Sequence, residues 1–135
     1  MGTARVQGQR DVALNELPIR GIAINDATAN TASITVHASD SGIMFINKFA
    51  SATTYTLPTV SLGAGKWFWF FNVGAAGMII ASAGSLDDII ADGDAAADTV
   101  TYATLSHMIG SACLVIGDGT NWYALNIGAT TATVA

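Results

Sequence analysis

The run Lys66-Trp67-Phe68-Trp69-Phe70-Phe71-Asn72-Val73-Gly74-Ala75-Ala76-Gly77-Met78-Ile79-Ile80-Ala81 decides the fold class. It lies in the most hydrophobic stretch of the chain, which runs from Trp67 to Ala83 and is about as long as the shortest membrane-spanning helices. Its composition argues for strands instead. The aromatics from Trp67 to Phe71 favour extended backbone, and Asn72 to Gly77 form a polar and glycine-rich break suited to a turn. The expectation is strand, turn, strand, with no membrane span. Alternation then sends Trp67, Trp69 and Phe71 to one face and Phe68 and Phe70 to the other. A sandwich needs only one apolar face per strand. The second face calls for a cover: a loop, the N-terminal segment or another subunit. Two exposed tryptophans would make a patch that soluble monomers rarely show.

Short strand patterns continue in both directions. Ile34 to Val36, Ile43 to Ile46, and Thr53 to Leu57 (stopped by Pro58) precede the aromatic run. Ile89-Ile90 and Val100 to Tyr102 follow it. Cys113 to Ile116 and Trp122 to Leu125 flank Gly117-Asp118-Gly119-Thr120-Asn121. This is the clearest hairpin signal, because Asp-Gly tolerates the positive φ of tight turns. Strand starts recur about every ten residues from residue 31 onward, the spacing of an all-β sandwich or barrel. Ala95-Ala96-Ala97 supports at most one helical turn. No repeat of fixed period and no interdomain linker are apparent. The expected architecture is all-β: a single antiparallel β-sandwich over residues 31–135, preceded by an extended arm over residues 1–30.

The composition fits one domain of 135 residues. Charged residues are 11% of the chain, against about 25% in a typical soluble domain. With 51% hydrophobic residues, this excludes a disordered chain and argues against a coiled coil. Ten acidic and five basic side chains give a net charge of −5, so a nucleic-acid partner is not expected. Sparse charge leaves little repulsion between copies, a hint of an assembly subunit. All three arginines, Arg5, Arg10 and Arg20, fall in the first twenty residues, whose net charge is +1 against −6 for the rest. Together with Leu14, Leu17 and Ile19 they make an arm expected to order against a partner. The planar arginine forks would pair with carboxylates, and the apolar side chains would seat in a groove.

Catalytic chemistry finds little support. His37 and His107 are the only histidines and sit in no recognisable motif. No Gly-x-Ser-x-Gly elbow occurs. Cys113 lies in an apolar strand, where it reads as a small buried hydrophobe, and a single cysteine excludes an internal disulfide and a cysteine-rich zinc site. Gly63-Ala64-Gly65-Lys66 lacks the spacing of a phosphate-binding loop. The aspartates from Asp87 to Asp98 invite a calcium test, but no glutamate closes a twelve-residue loop. They read as a solvated acidic loop. No enzyme activity, metal or cofactor is expected. Met1 to Arg10 shows no apolar stretch of a secretory signal.

One resemblance emerges over residues 53–128. Thr54-Tyr55-Thr56-Leu57-Pro58 is followed by a glycine turn, an aromatic strand ending in Phe71-Asn72, a second glycine-rich turn and Met78-Ile79-Ile80-Ala81. Ile109-Gly110-Ser111-Ala112 then leads into Val115-Ile116-Gly117-Asp118-Gly119-Thr120-Asn121-Trp122-Tyr123. This pattern resembles small virion proteins of tailed bacteriophages: capsid decoration (cement) proteins and the β-rich modules of tail fibres and spikes. The resemblance implies a jelly-roll-like β-sandwich, commonly homotrimeric, without catalytic residues. A short chain with an arm and no repetitive shaft favours decoration of the outer capsid surface. The implied partners are the major capsid protein, met by the arm, and further copies of the chain, met by Trp67, Trp69 and Phe71. The alternative within the class is a tail module that binds a host-surface carbohydrate.

Overall fold

The computed structural model describes residues 19–26, 32–103, 108–127 and 133–135. Twelve strands occupy them: β1 (Gly21–Asn25), β2 (Ser33–Thr35), β3 (Ile43–Asn47), β4 (Thr53–Thr56), β5 (Trp67–Asn72), β6 (Met78–Ala81), β7 (Ile89–Ala91), β8 (Asp94–Ala97), β9 (Thr99–Tyr102), β10 (Ala112–Gly117), β11 (Trp122–Ile127) and β12 (Thr133–Val134). The only helical pieces among the described residues are single 3₁₀ turns at Ala38–Asp40 and Val60–Leu62. No helix there is long and apolar enough to cross a membrane. The all-β expectation is met by two sheets. One has seven strands in the order β1-β3-β5-β10-β11-β7-β8, the other five in the order β12-β9-β6-β4-β2.

The sheets share one core. Phe45, Phe68, Phe70, Cys113, Val115 and Trp122 project from the larger sheet, and Tyr55, Met78, Ile80, Val100 and Tyr102 from the smaller. Tyr55 closes edge-on against Phe70 at 5.3 Å between ring centroids, and Phe45 stacks on Phe70 at 5.4 Å. Full burial of each such side chain stabilises the fold by about 1.5–3 kcal/mol. β5 alternates as its sequence requires, with Phe68 and Phe70 fully buried and Trp67, Trp69 and Phe71 half-buried on the opposite face.

Three expectations are corrected. The sheets are not antiparallel throughout. β1, β3 and β5 run parallel, as do β2, β4 and β6. The chain alternates between sheets through its first six strands, so hydrogen-bonded neighbours are two strands apart in sequence and point the same way. The antiparallel expectation holds where β10 pairs with β5 and β11, and where β9 pairs with β6 and β12. Gly21–Asn25, expected within the arm of residues 1–30, pair with β3 as the edge strand of the larger sheet, while residues 1–18 and 27–31 lie outside the described residues. Ala95–Ala97 lie in β8 rather than a helical turn. They close a hairpin with β7 through Asp92 and Gly93, both at positive φ (36° and 91°).

The parallel half also contains a repeat that periodicity did not disclose. Gly21 pairs with Ile43 and Ser33 with Thr54, offsets of 22 and 21 residues. Met44 pairs with Trp69 and Thr53 with Met78, both 25 residues apart. The extra length sits in the link from β4 to β5, which carries the Val60–Leu62 turn. Three coils are thus stacked, each one strand of either sheet.

A buried column of amides registers these coils. Asn25, Asn47 and Asn72 end β1, β3 and β5 at matched positions and are at most 2% exposed. The Asn25 amide donates to Asn47 Oδ1 at 3.2 Å and the Asn47 amide to Asn72 Oδ1 at 2.9 Å. The Asn72 amide donates to the carbonyls of Met108 (2.8 Å) and Gly74 (3.0 Å). Each asparagine closes an apolar run, Ile22-Ala23-Ile24-Asn25, Ile43-Met44-Phe45-Ile46-Asn47 and Phe68-Trp69-Phe70-Phe71-Asn72. That recurrence was the signal available in the sequence.

Candidate functional site

Strand pairing carries the outward residues of the larger sheet into three rows. Ile22, Met44, Trp69, Leu114 and Leu125 form the first. Ile24, Ile46, Phe71, Ala112 and Ile127 form the second. Trp67, Ile116, Tyr123 and Ile90 form the third. Every one of these positions is apolar or aromatic; charge enters only along the third row, where Arg20 lies beside Trp67 across Gly42 and Asp118 accepts the Tyr123 hydroxyl at 2.6 Å. The outer face of the smaller sheet has the opposite chemistry. Ser33, Thr54, Ile79, Thr101 and Thr133 share one of its rows, and Thr35, Thr56, Ala81 and Thr99 another, so that hydroxyls surround the two apolar positions of β6. Hydroxyls on β-branched residues suit a solvated sheet surface. One outer face is thus built for water and the other is not.

Of the expected interface residues, Trp69 and Phe71 stand at the middle of the first two rows of the apolar face, and Trp67 at the end of the third. Sequence reading missed its flanks. Ile22 and Ile24 fall within the stretch expected to be an arm, yet lie on the edge strand, 61% and 49% exposed. Leu125 and Ile127 continue the face on β11 at 48% and 47%. Their signal was the apolar character of both parities in Trp122-Tyr123-Ala124-Leu125, but alternation alone does not say which parity faces the core. Beside this flank, a shallow groove of about 460 Å³ lies between β11 and the β7–β8 hairpin, lined in part by Ile90, Asp92, Asp94 and Tyr123.

The expected arm residues separate. Arg5, Arg10, Leu14 and Leu17 lie outside the described residues. Ile19 is half-buried at the entry to β1. Arg20 belongs to the fold: its side chain donates to the carbonyls of Ser39 (2.6 Å) and Ser41 (3.0 Å), and its backbone N–H to Gly42 (2.7 Å). It pins the start of β1 to the turn before β3.

Groups with reactive chemistry serve packing. Cys113 is fully buried, and burial pushes its thiol up to about 12. Burial also raises the Tyr55 and Tyr102 phenols well above their ordinary range. Exposed His37 donates its backbone N–H to Asp40 at 2.9 Å; His107 is outside the described residues. Among the described residues no three His, Cys, Asp or Glu side chains converge as a metal site requires.

The Asp118 hairpin is a local exception to the sparse electrostatics. Asp118 Oδ1 accepts the Thr120 and Asn121 N–H groups, each at 2.7 Å, and Oδ2 accepts the Tyr123 hydroxyl at 2.6 Å. Bonding to Tyr123 and then to those amides lowers the carboxyl below its usual range. A depressed pKa contributes stability above the unfolded value and loses it as pH falls through the folded one. An acid titration followed on the Thr120 and Asn121 amide resonances should show loop opening only below the ordinary carboxylate range. Asp118→Asn should abolish that transition.

No protein-family model, curated protein or solved structure matches the chain.

Proposed function

We propose that this chain is a structural virion subunit, a decoration protein that binds the outside of a tailed-phage head as a homotrimer and stabilises the shell. The observation that carries the assembly reading is the apolar outer face of the larger sheet, set against the threonine-rich face of the smaller one. A sheet face with thirteen large or medium apolar side chains, and with Arg20 only at its edge, is suited to coverage by protein. The virion context rests on the resemblance over residues 53–128. In this reading the attachment to the major capsid protein is made by the segment before β1, with Arg5 and Arg10 supplying charge-assisted bonds and Leu14, Leu17 and Ile19 seating apolar contacts. Many identical sites on a shell multiply weak contacts into firm retention.

The test is a deletion of residues 2–18, which spares the Arg20 pin. The truncated protein should keep its far-UV circular dichroism, while its occupancy on undecorated heads should fall at least about tenfold at equal concentration, the equivalent of about 1.4 kcal/mol. Wild-type binding should weaken with added salt insofar as the arginines form ion pairs. Undiminished occupancy would assign attachment to the β-domain alone. The groove beside Tyr123, an exposed aromatic with Asp92 and Asp94 nearby, favours glycan binding as the second reading. Saturable binding on a glycan array, lost in Tyr123→Ala, would replace decoration with a tail-module role.

A further inference from the structure

We infer that copies of this chain associate through the outer face of the seven-stranded sheet, each copy turning it toward its neighbours, with Trp69 at the centre of the contact. The inference deepens the assembly reading above; it rests on that reading for the particle but not for the association itself.

The extent of the face is the first argument. Its side chains range from Ala112 at 8% exposed through half-buried Trp67, Trp69 and Phe71 to Ile22 at 61%, and six of them, Ile22, Ile24, Ile116, Tyr123, Leu125 and Ile127, are more than a third exposed. A contiguous apolar face with that many exposed large side chains marks an interaction surface. Exposure is greatest on the flanks, at Ile22 and Ile24 on one side and Leu125 and Ile127 on the other, so contact area is available on both sides of β5.

Charge selects the occupant. The described residues carry eight aspartates against Arg20, Lys48 and Lys66. An anionic lipid surface would need a cationic rim around the apolar face, and this surplus is acidic. A second copy brings the same apolar rows, so molecules of net charge −5 meet with the charged groups, Arg20 beside Trp67 and Asp92, Asp94 and Asp118 around Tyr123, at the margin of the contact rather than at its Trp69 centre. The threonine-rich face stays in water on both copies.

Sedimentation of the full chain, without any shell, tests this. At about 10 µM the wild type should run as a discrete multiple of 13.8 kDa. Ile22→Glu and Leu125→Glu alter exposed positions, so each should fold, and each should weaken association at least about 100-fold by burying an unpaired charge. Leu62→Glu and Leu86→Glu change apolar residues that are 61% and 89% exposed off this face, and should associate as the wild type does. A wild type that stays monomeric at about 100 µM would overturn the proposal, as would Ile22→Glu and Leu125→Glu proteins that associate normally. Association that appears only after deletion of residues 2–18 would also overturn it, since the chain's own N-terminal segment would then cover the face. The two readings separate cleanly. Intact association with no binding to heads sinks decoration alone, and binding to heads by a strict monomer sinks this inference and the trimer while leaving decoration standing.

Discussion

Asn47→Leu should destabilise the protein by about 4 kcal/mol, near the upper end for a single substitution. Asn47 is the middle rung of the amide column and fully buried. Its amide donates to Asn72 Oδ1 at 2.9 Å and to the Gly77 carbonyl at 3.3 Å, and its Oδ1 accepts from Asn25. Leucine matches the size and removes all three bonds. Asn25 keeps its second bond, to Thr53 Oγ1 at 3.3 Å, while the Asn72 oxygen and the Gly77 carbonyl each lose a buried donor. Urea unfolding should show a lower midpoint with an unchanged slope. Asn47→Asp sharpens the test. When ionised, the introduced carboxyl faces two acceptors with no proton to give, so folding raises its pKa. Its stability is therefore fully present below the unfolded pKa of about 4 and is lost as pH rises through the higher folded value. This variant should melt closest to wild type in acid and furthest from it at neutral pH. A deficit independent of pH would mean that the column acts through shape alone.

The second large effect is steric. Trp122 is fully buried and tilts against Phe68 at 5.9 Å between centroids. Two glycines flank its indole. A methyl group at Gly63 would stand 2.5 Å from Trp122 Cη2 and 2.7 Å from Cζ2. At Gly117 it would run into the Gly63 carbonyl and stand 2.7 Å from Trp122 Cζ3. Neither neighbour can give way, one being backbone and the other a rigid ring enclosed by the core. Gly63→Ala and Gly117→Ala should each cost about 3 kcal/mol, with Gly117→Ala the worse because its clash is with backbone. Gly21→Ala serves as the reference, since a Cβ there meets nothing within 4 Å, and it should be nearly neutral in the same thermal unfolding assay. Equal effects at all three sites would place the cost in backbone entropy rather than in contact with Trp122.

Local patterns were legible from residue chemistry, and long-range pairing was not. The β10–β11 hairpin announces itself through Asp118-Gly119 between two apolar runs, and the structure pairs Gly117 with Trp122 across that loop. The alternation of β5 is equally plain. Which side of β5 faces the core depends on its neighbours, however, and these are β3, 25 residues earlier, and β10, more than 40 residues later. β1 was hidden because it is a five-residue edge strand flanked by Arg20 and Asp26 whose two large apolar residues, Ile22 and Ile24, point away from the core. Ala95–Ala97 read as weakly helical because alanine is the best helix former. The Asp92-Gly93 turn overrides that preference by presenting the segment to β7. Of the candidate interface, the aromatic strand was visible in the sequence; the flanks required the register.

The stacked coils also bear on how such a chain can change in length. Any coil whose strands match β1 and β2 in register ends in an asparagine and offers the same edge to the next. A tandem duplication of about 22 codons within the parallel half would add one rung to each sheet, roughly 4.8 Å of height, and leave the hairpins of the antiparallel half where they are. Height is thus a quantity that replication slippage can adjust in whole steps, and the new rung would lengthen the threonine-rich and apolar faces together.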